Sequence, residues 1–315
     1  VFGQLGQRVF SQGSQLLTLQ FSRSQELQAD GLGVNYLRSA GYDPRAMASV
    51  LESLGRQTAL DAQLRGSNSD APAWASTHPD PASRVRDALQ LAGSNVAGKT
   101  NRDALLNGIN GLVYGDDPKQ GIVDGLTFRH PDLGIAFEAP AGFTLVNGTS
   151  AVSISGQSGK AQFASGAYNG NLDAYIASVF AGLTEKGQPR IAPQSLESAT
   201  VNGLKARYGV VRTQGTSGQL DVAVFAYAVA SKAYHFVAIT QAGNVGVFNP
   251  MFRSMRRLSA AEVSSVKPRR LRVVTVKAGD TVRSMAARMA YTDAPLDRFL
   301  VLNGLRSDDQ IVAGQ

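Results

Sequence analysis

The chain has no cysteine, which removes both a disulfide framework and thiolate chemistry. Histidine is nearly as scarce: three in 315 residues, His78, His130 and His235. None stands four residues from another, so the sequence holds no histidine pair with metal-ligand spacing on one helix face. No apolar run approaches the roughly 18–20 residues that span a bilayer. The opening residues lack the basic start and apolar core of a signal peptide. The glycines are expected in turns and not between a strand and a helix, which argues against a phosphate-binding loop. No Gly-x-Ser-x-Gly elbow stands where a triad could be assembled. What is present is ordinary globular material, 43% hydrophobic and 17% charged, with a net charge of +7. That basicity favours anionic surfaces such as envelope polymers. The basic stretch Lys267 to Lys277 lacks interleaved aromatics, so nucleic acid is not expected as a partner.

The most informative stretch is Ser22-Arg23-Ser24-Gln25-Glu26-Leu27-Gln28-Ala29-Asp30, closing at Gly41-Tyr42-Asp43-Pro44. Ser22 and Gln25 have capping-box spacing, and Gly41 with Pro44 is a helix stop. Glu26 and Asp30 fall four residues apart on one helix face, a spacing that by itself describes a solvated surface. The whole run resembles the third-ligand helix of the HtpX/CAAX-prenyl-protease/BepA-like zinc metallopeptidases, the gluzincins. In that family a Ser-Arg-x-x-Glu-x-x-Ala-Asp segment supplies the glutamate that completes a zinc site begun by an upstream His-Glu-x-x-His helix. The resemblance implies zinc as cofactor, Glu26 as a ligand, and Asp30 as the acid that accepts a ligand histidine's second ring proton. A second match is Ser76-Thr77-His78-Pro79-Asp80-Pro81-Ala82-Ser83-Arg84-Val85. It implies His78 as an auxiliary ligand or transition-state contact, unless it merely closes a loop, and Arg84 as a charge that orients that loop. No His-Glu-x-x-His occurs in these residues, so the chain by itself is expected to be proteolytically inert.

Three parts are expected. Residues 1–115 read as the helical part of a metallopeptidase domain, with Leu27, Leu32, Val34 and Leu37, then Met47, Val50, Leu51 and Leu54, then Val85, Leu89 and Leu91 facing a core. Residues 64–82 read as an exposed loop. From 120 to 262 the period changes to two. Phe128, Ile135, Phe137, Phe143, Val152, Ile154, Ala161 and Phe163 lie in strands, Leu172 to Leu183 in a helix, and Val201-Asn202-Gly203-Leu204 in a hairpin turn. An α+β domain with an antiparallel sheet is the economical reading, and its opening resembles the PsbP/Mog1-like domain. Residues 271–315, with Gly279-Asp280-Thr281 and Leu302-Asn303-Gly304-Leu305 at two turns, resemble a LysM module of strand, helix, helix, strand. That resemblance implies peptidoglycan contacts at Gly279, Asp280, Thr281 and Asn303, although Gly, Asp and Asn also simply make turns. His130 and His235 are expected to be structural.

Both ends read as cut, within a pattern in progress at Val1 and before a last strand at Gln315. The expectation is thus part of a periplasmic or cell-envelope zinc metalloendopeptidase acting on protein or peptide substrates, with a peptidoglycan-tethering tail and peripheral membrane association left open. Two alternatives stand beside it. One is a non-catalytic envelope-binding or chaperone-like scaffold that has lost the metal site; the other makes the middle domain a partner-binding sheet.

Overall fold

The computed structural model describes residues 23–65, 81–94, 98–184, 191–215, 218–291 and 293–314. The expected capping box at Ser22, the apolar stretch before it, His78 and most of the 64–82 loop lie outside these residues. The chain forms two compact units. One is Val113–Arg269; the other joins the described part of Thr18–Leu112 to Arg270–Gln315.

The second unit starts with α1 (Arg23–Ser39), α2 (Ala46–Arg65), α3 (Pro81–Ala92) and α4 (Arg102–Ile109). Gly41, at φ 76°, turns the chain after α1. There the Tyr42 N–H reaches back to the Leu37 carbonyl at 2.9 Å. The core of these helices is Val34, Ala48, Leu51, Ala88 and Ala92. Small residues set this crossing: a Cβ on Gly33 would lie 3.0 Å from the Met47 sulfur. Val34 and Leu51 are buried as expected, but Leu27, Leu32, Val50, Leu54, Leu89 and Leu91 are exposed. The helices meet on the alanine and glycine stripe, and those larger side chains fall outside it. Arg38 in the last turn of α1 donates to the Leu91 carbonyl at 2.8 Å, satisfying an orphan acceptor at the end of α3.

The Val113–Arg269 unit contains two antiparallel sheets. β1 (Ile122–Asp124), β2 (Thr127–His130), β3 (Ile135–Glu138) and the short β11 (Arg256–Arg257) form the smaller one, in that order. The larger comprises β4 (Phe143–Asn147), β5 (Val152–Gly156), β6 (Gly159–Gly166), β7 (Glu197–Val201), β8 (Leu204–Gly215), β9 (Gly218–Val229) and β10 (Lys232–Gln241). Their spatial order is β4-β5-β6-β10-β9-β8-β7. The unit also holds α5 (Leu172–Leu183), α6 (Asn249–Ser254) and α7 (Ala260–Ser265). The expected hairpin turn joins β7 to β8, with Asn202 and Gly203 at φ 47° and 79°.

Burial explains the pattern along β9. Phe225 and Tyr227 face a core with Phe137, Phe163, Phe236, Met251 and Phe252. Val222, Val224 and Ala226 face Tyr175, Ile176 and Phe180 of α5 on the opposite side. A strand covered on both faces reads as a continuous apolar run and not as an alternation. Asp221 is nevertheless buried on β9; Arg212 of β8 donates to both its carboxylate oxygens, at 2.8 and 3.0 Å. The Gly243 N–H adds a third bond at 2.7 Å.

The chain then returns to the helical unit with α8 (Val282–Ala286) and α9 (Pro295–Asn303). Met285 and Ala286 are buried, and α9 packs on both α8 and α2. The first strand expected of this module is not formed among the described residues. The first segment bonds elsewhere: the Gly111 N–H donates to the Leu271 carbonyl at 2.8 Å and the Leu271 N–H to the Leu112 carbonyl at 2.9 Å. The Gly314 N–H donates to the Val276 carbonyl at 2.9 Å, between the module's two ends.

Candidate active site

Glu26 lies in the first turn of α1 and Asp30 one turn further along the same face. Across from them, α3 presents Arg84. Its Nε donates to Asp30 Oδ2 and its Nη2 to Asp30 Oδ1, both at 2.7 Å. The same Nη2 stands 3.2 Å from Glu26 Oε2. The site is sheltered: the side chains of Glu26 and Arg84 are 12% and 13% exposed, and that of Asp30 is 5%. A carboxylate this deep is tolerable only when its charge is matched and its lone pairs are engaged, which the guanidinium fork does. The bond to Asp30, opposed by burial and supported by the charge of both carboxylates, raises the Arg84 pKa and keeps the guanidinium charged.

Three of the sequence-identified residues thus come together, from helices 54 positions apart in the chain. His78 is outside the described residues, and the Asp30 oxygens are met by Arg84 where the sequence reading anticipated a histidine. Nothing in the spacing of Asp30 and Arg84 signals their pairing; only the fold brings them together. Carboxylate oxygen suits zinc, so Glu26 fits as one ligand, but zinc takes three protein ligands with an open position. Among the described residues no group of three or more His, Cys, Asp or Glu could hold a metal ion.

The residues singled out near the C-terminus each have local work. Gly279 turns at φ 86°. Asp280 accepts from the Lys277 N–H at 2.8 Å and from Arg288 at 2.7 Å, which together hold its carboxyl below the usual range. Thr281 and Ser284 form a capping box on α8. The Asn303 side chain donates to the Phe299 carbonyl at 2.9 Å.

The other two described histidines lie in the sheet unit. His235 Nδ1 is 2.8 Å from the Tyr175 hydroxyl, and burial pulls the His235 pKa down to about 4. Tyr175 also bonds the Ala233 carbonyl at 3.1 Å, and burial pushes its pKa up to about 12. His130 is likewise lowered by burial.

One pattern in the sequence needs correction. Gly93-Ser94-Asn95-Val96-Ala97-Gly98-Lys99-Thr100 does spell the phosphate-loop consensus. Its setting does not match: it follows helix α3 where the motif requires a strand. Gly98 is pressed on the Asp43 backbone, where a Cβ would come within 2.2 Å of the Asp43 nitrogen. Lys99 bridges Tyr42 through its backbone.

Residues 3–92 match Peptidase family M48, and residues 274–315 match the LysM domain. The chain is thus similar to Peptidase family M48 over its first part and to the LysM domain over its last. Its curated relatives include the mitochondrial metalloendopeptidase OMA1 of Arabidopsis thaliana, 34% identical over 99 residues, 29% of this chain and 19% of that protein. Another is the beta-barrel assembly-enhancing protease of Yersinia pestis, 34% identical over 80 residues, 25% of this chain and 15% of that protein. The chain thus spans less than a fifth of the length of either relative. Among solved structures, cyanobacterial PsbP (CyanoP) from Synechocystis sp. PCC 6803 aligns at TM-score 0.33 and 13% identity, over 44% of this chain and 98% of that one. A crystal structure from Bacteroides thetaiotaomicron aligns at TM-score 0.34 and 8% identity, over 44% and 51%.

Proposed function

We propose that this chain is part of a cell-envelope, zinc-dependent metalloendopeptidase that cleaves protein or peptide substrates. The observation that carries the reading is the sheltered Glu26, Asp30 and Arg84 cluster inside the segment that matches Peptidase family M48. Glu26 is the carboxylate this chain offers to the metal. When bound, zinc would supply Lewis acidity and an activated water. His78 remains the candidate auxiliary ligand or transition-state contact. The sequence holds no His-Glu-x-x-His, so it does not by itself supply the two histidines and the general base that the chemistry requires. The LysM domain supports a peptidoglycan partner, with Gly279, Asp280, Thr281 and Asn303 at the turns where a glycan would be met, and this in turn supports a periplasmic or envelope location. No helix among the described residues is long and apolar enough to cross a membrane.

The test is Glu26→Gln in the complete gene product. Zinc content and peptidase activity should both fall sharply, with the circular dichroism spectrum unchanged. Full zinc content and full activity would refute the ligand assignment, whereas a wild-type protein with neither zinc nor activity would favour the scaffold reading.

A further inference from the structure

We infer that Arg84 is a positioning residue for Glu26, and that Asp30 serves as the anchor that makes this possible. The inference rests on the reading of Glu26 as a metal carboxylate and assigns the two charged residues behind it a division of labour.

The geometry is asymmetric. Both oxygens of Asp30 are taken by the guanidinium fork, at 2.7 Å each, while between Arg84 and Glu26 the contact is an ion pair from Nη2 at 3.2 Å. Asp30 sits in the middle of α1, its side chain 5% exposed, one turn before the core residue Val34. A planar fork seated on a carboxylate in so fixed a place loses its own freedom of rotation. The Nη2 atom is then held on the Glu26 side, where it pairs with Oε2. Glutamate has three side-chain torsions, and Glu26 stands in the first turn of α1, the part of a helix with fewest backbone constraints. A metal ligand in that position gains from a partner that preselects its rotamer, as the neighbours of ligating groups generally do. Lysine could supply charge at this position but no fork, and would leave one Asp30 oxygen unmatched.

A purely structural ion pair would tie α1 to α3 and nothing more. Stability and metal affinity separate the two roles. In the complete protein, zinc affinity is measured by competition with a chromophoric chelator, and thermal unfolding is followed alongside, for Glu26→Gln, Arg84→Lys, Arg84→Gln, Asp30→Asn and the double variant Asp30→Asn/Arg84→Gln. Glu26→Gln tests the underlying reading, and normal zinc binding in it would remove both that reading and this inference. With Glu26→Gln impaired, the folded Arg84 and Asp30 variants should each bind zinc about tenfold or more weakly. The double variant should be no weaker than the worse single one, because both changes undo the same constraint. Wild-type or tighter zinc binding in Arg84→Lys or Asp30→Asn overturns the inference while leaving Glu26 as a ligand. So does strict additivity in the double variant. Arg84→Lys keeps the charge and most of the stem, so it provides a folded test where Arg84→Gln does not.

Discussion

Replacing His235 with glutamine should flatten the acid side of the sheet unit's stability curve. His235 stands on β10 beneath α5, bonded through Nδ1 to the Tyr175 hydroxyl, and burial lowers its pKa from 6.5 to about 4. A histidine with a depressed folded-state pKa binds its proton better in the unfolded chain. Its neutral form is compatible with the fold above pH 6.5, and stability drains away as the pH falls from 6.5 to about 4, where the loss levels off. At about 1.4 kcal/mol per pH unit, the gap amounts to about 3 kcal/mol, most of it already lost by about pH 4.5. The carboxylates act elsewhere. Asp221 is held below the ordinary aspartate value of 3.8 by Arg212, and Glu262 is brought down to about 2 by Arg256 and Ser259, so their contributions disappear only in stronger acid. His130, lowered by burial as well, shares the His235 window, and only the difference between wild type and variant isolates His235. Urea unfolding of the whole chain at pH 7.5 and 4.5, followed by near-ultraviolet circular dichroism of the buried tyrosines, measures that difference. Wild type should lose roughly 2–3 kcal/mol more than His235→Gln over this interval. Parallel losses in the two proteins would refute the reasoning.

Two further perturbations probe the same unit. Arg212→Met leaves the Asp221 carboxylate buried with the Gly243 N–H but without its guanidinium, and should lower the urea-unfolding midpoint at pH 7. Adding Asp221→Asn should recover part of that loss, since the unmatched charge goes with it. Tyr227→Phe removes the hydroxyl that donates to the Phe252 carbonyl at 2.6 Å inside the core, and should lower stability by about 1–2 kcal/mol. An unchanged unfolding midpoint would mean that water or a shifted backbone group satisfies that carbonyl.

The sheet unit was the most legible part of the chain because its signals are local. The alternation from Phe128 to Phe163, the Asn202-Gly203 turn and the Leu172–Leu183 helix can each be read within a dozen residues. Both ends of that helix fall where the pattern puts them. The helices of the other unit were recognised as helices, but their buried faces were read only in part: Val34, Leu51, Met47 and Val85 fall on the core, and several larger side chains do not. Large apolar side chains such as Leu54 and Leu89 draw attention, whereas the crossing is made by Ala48, Ala88 and Ala92, which carry little hydropathic contrast. Glu26 and Asp30 were legible through their motif. The partnership of Asp30 with Arg84 was not, since a pair of opposite charges far apart in sequence has no period or spacing to betray it. The C-terminal module shows the same limit. Its capping box at Thr281 and its turn at Gly304 follow from residue chemistry, but the competition of Gly111 and Leu112 for the backbone of Leu271 is a property of the folded chain.

That backbone pairing has a consequence for the order in which the protein can be made. The helical unit is discontinuous in sequence, and α2 receives α9 only after the ribosome has delivered residues far beyond the sheets. The described residues of the sheet unit run without interruption of unit over Val113–Arg269, with the Tyr114 N–H bonded to the Arg269 carbonyl at 2.8 Å. Its residues all emerge before those of α9. During synthesis from the N-terminus, the sheets can therefore close first, while the earlier-made helices wait with part of their packing surface unmet. A stop codon or proteolytic nick before α9 would strike the helical unit far upstream, because α9 is among the elements that complete it.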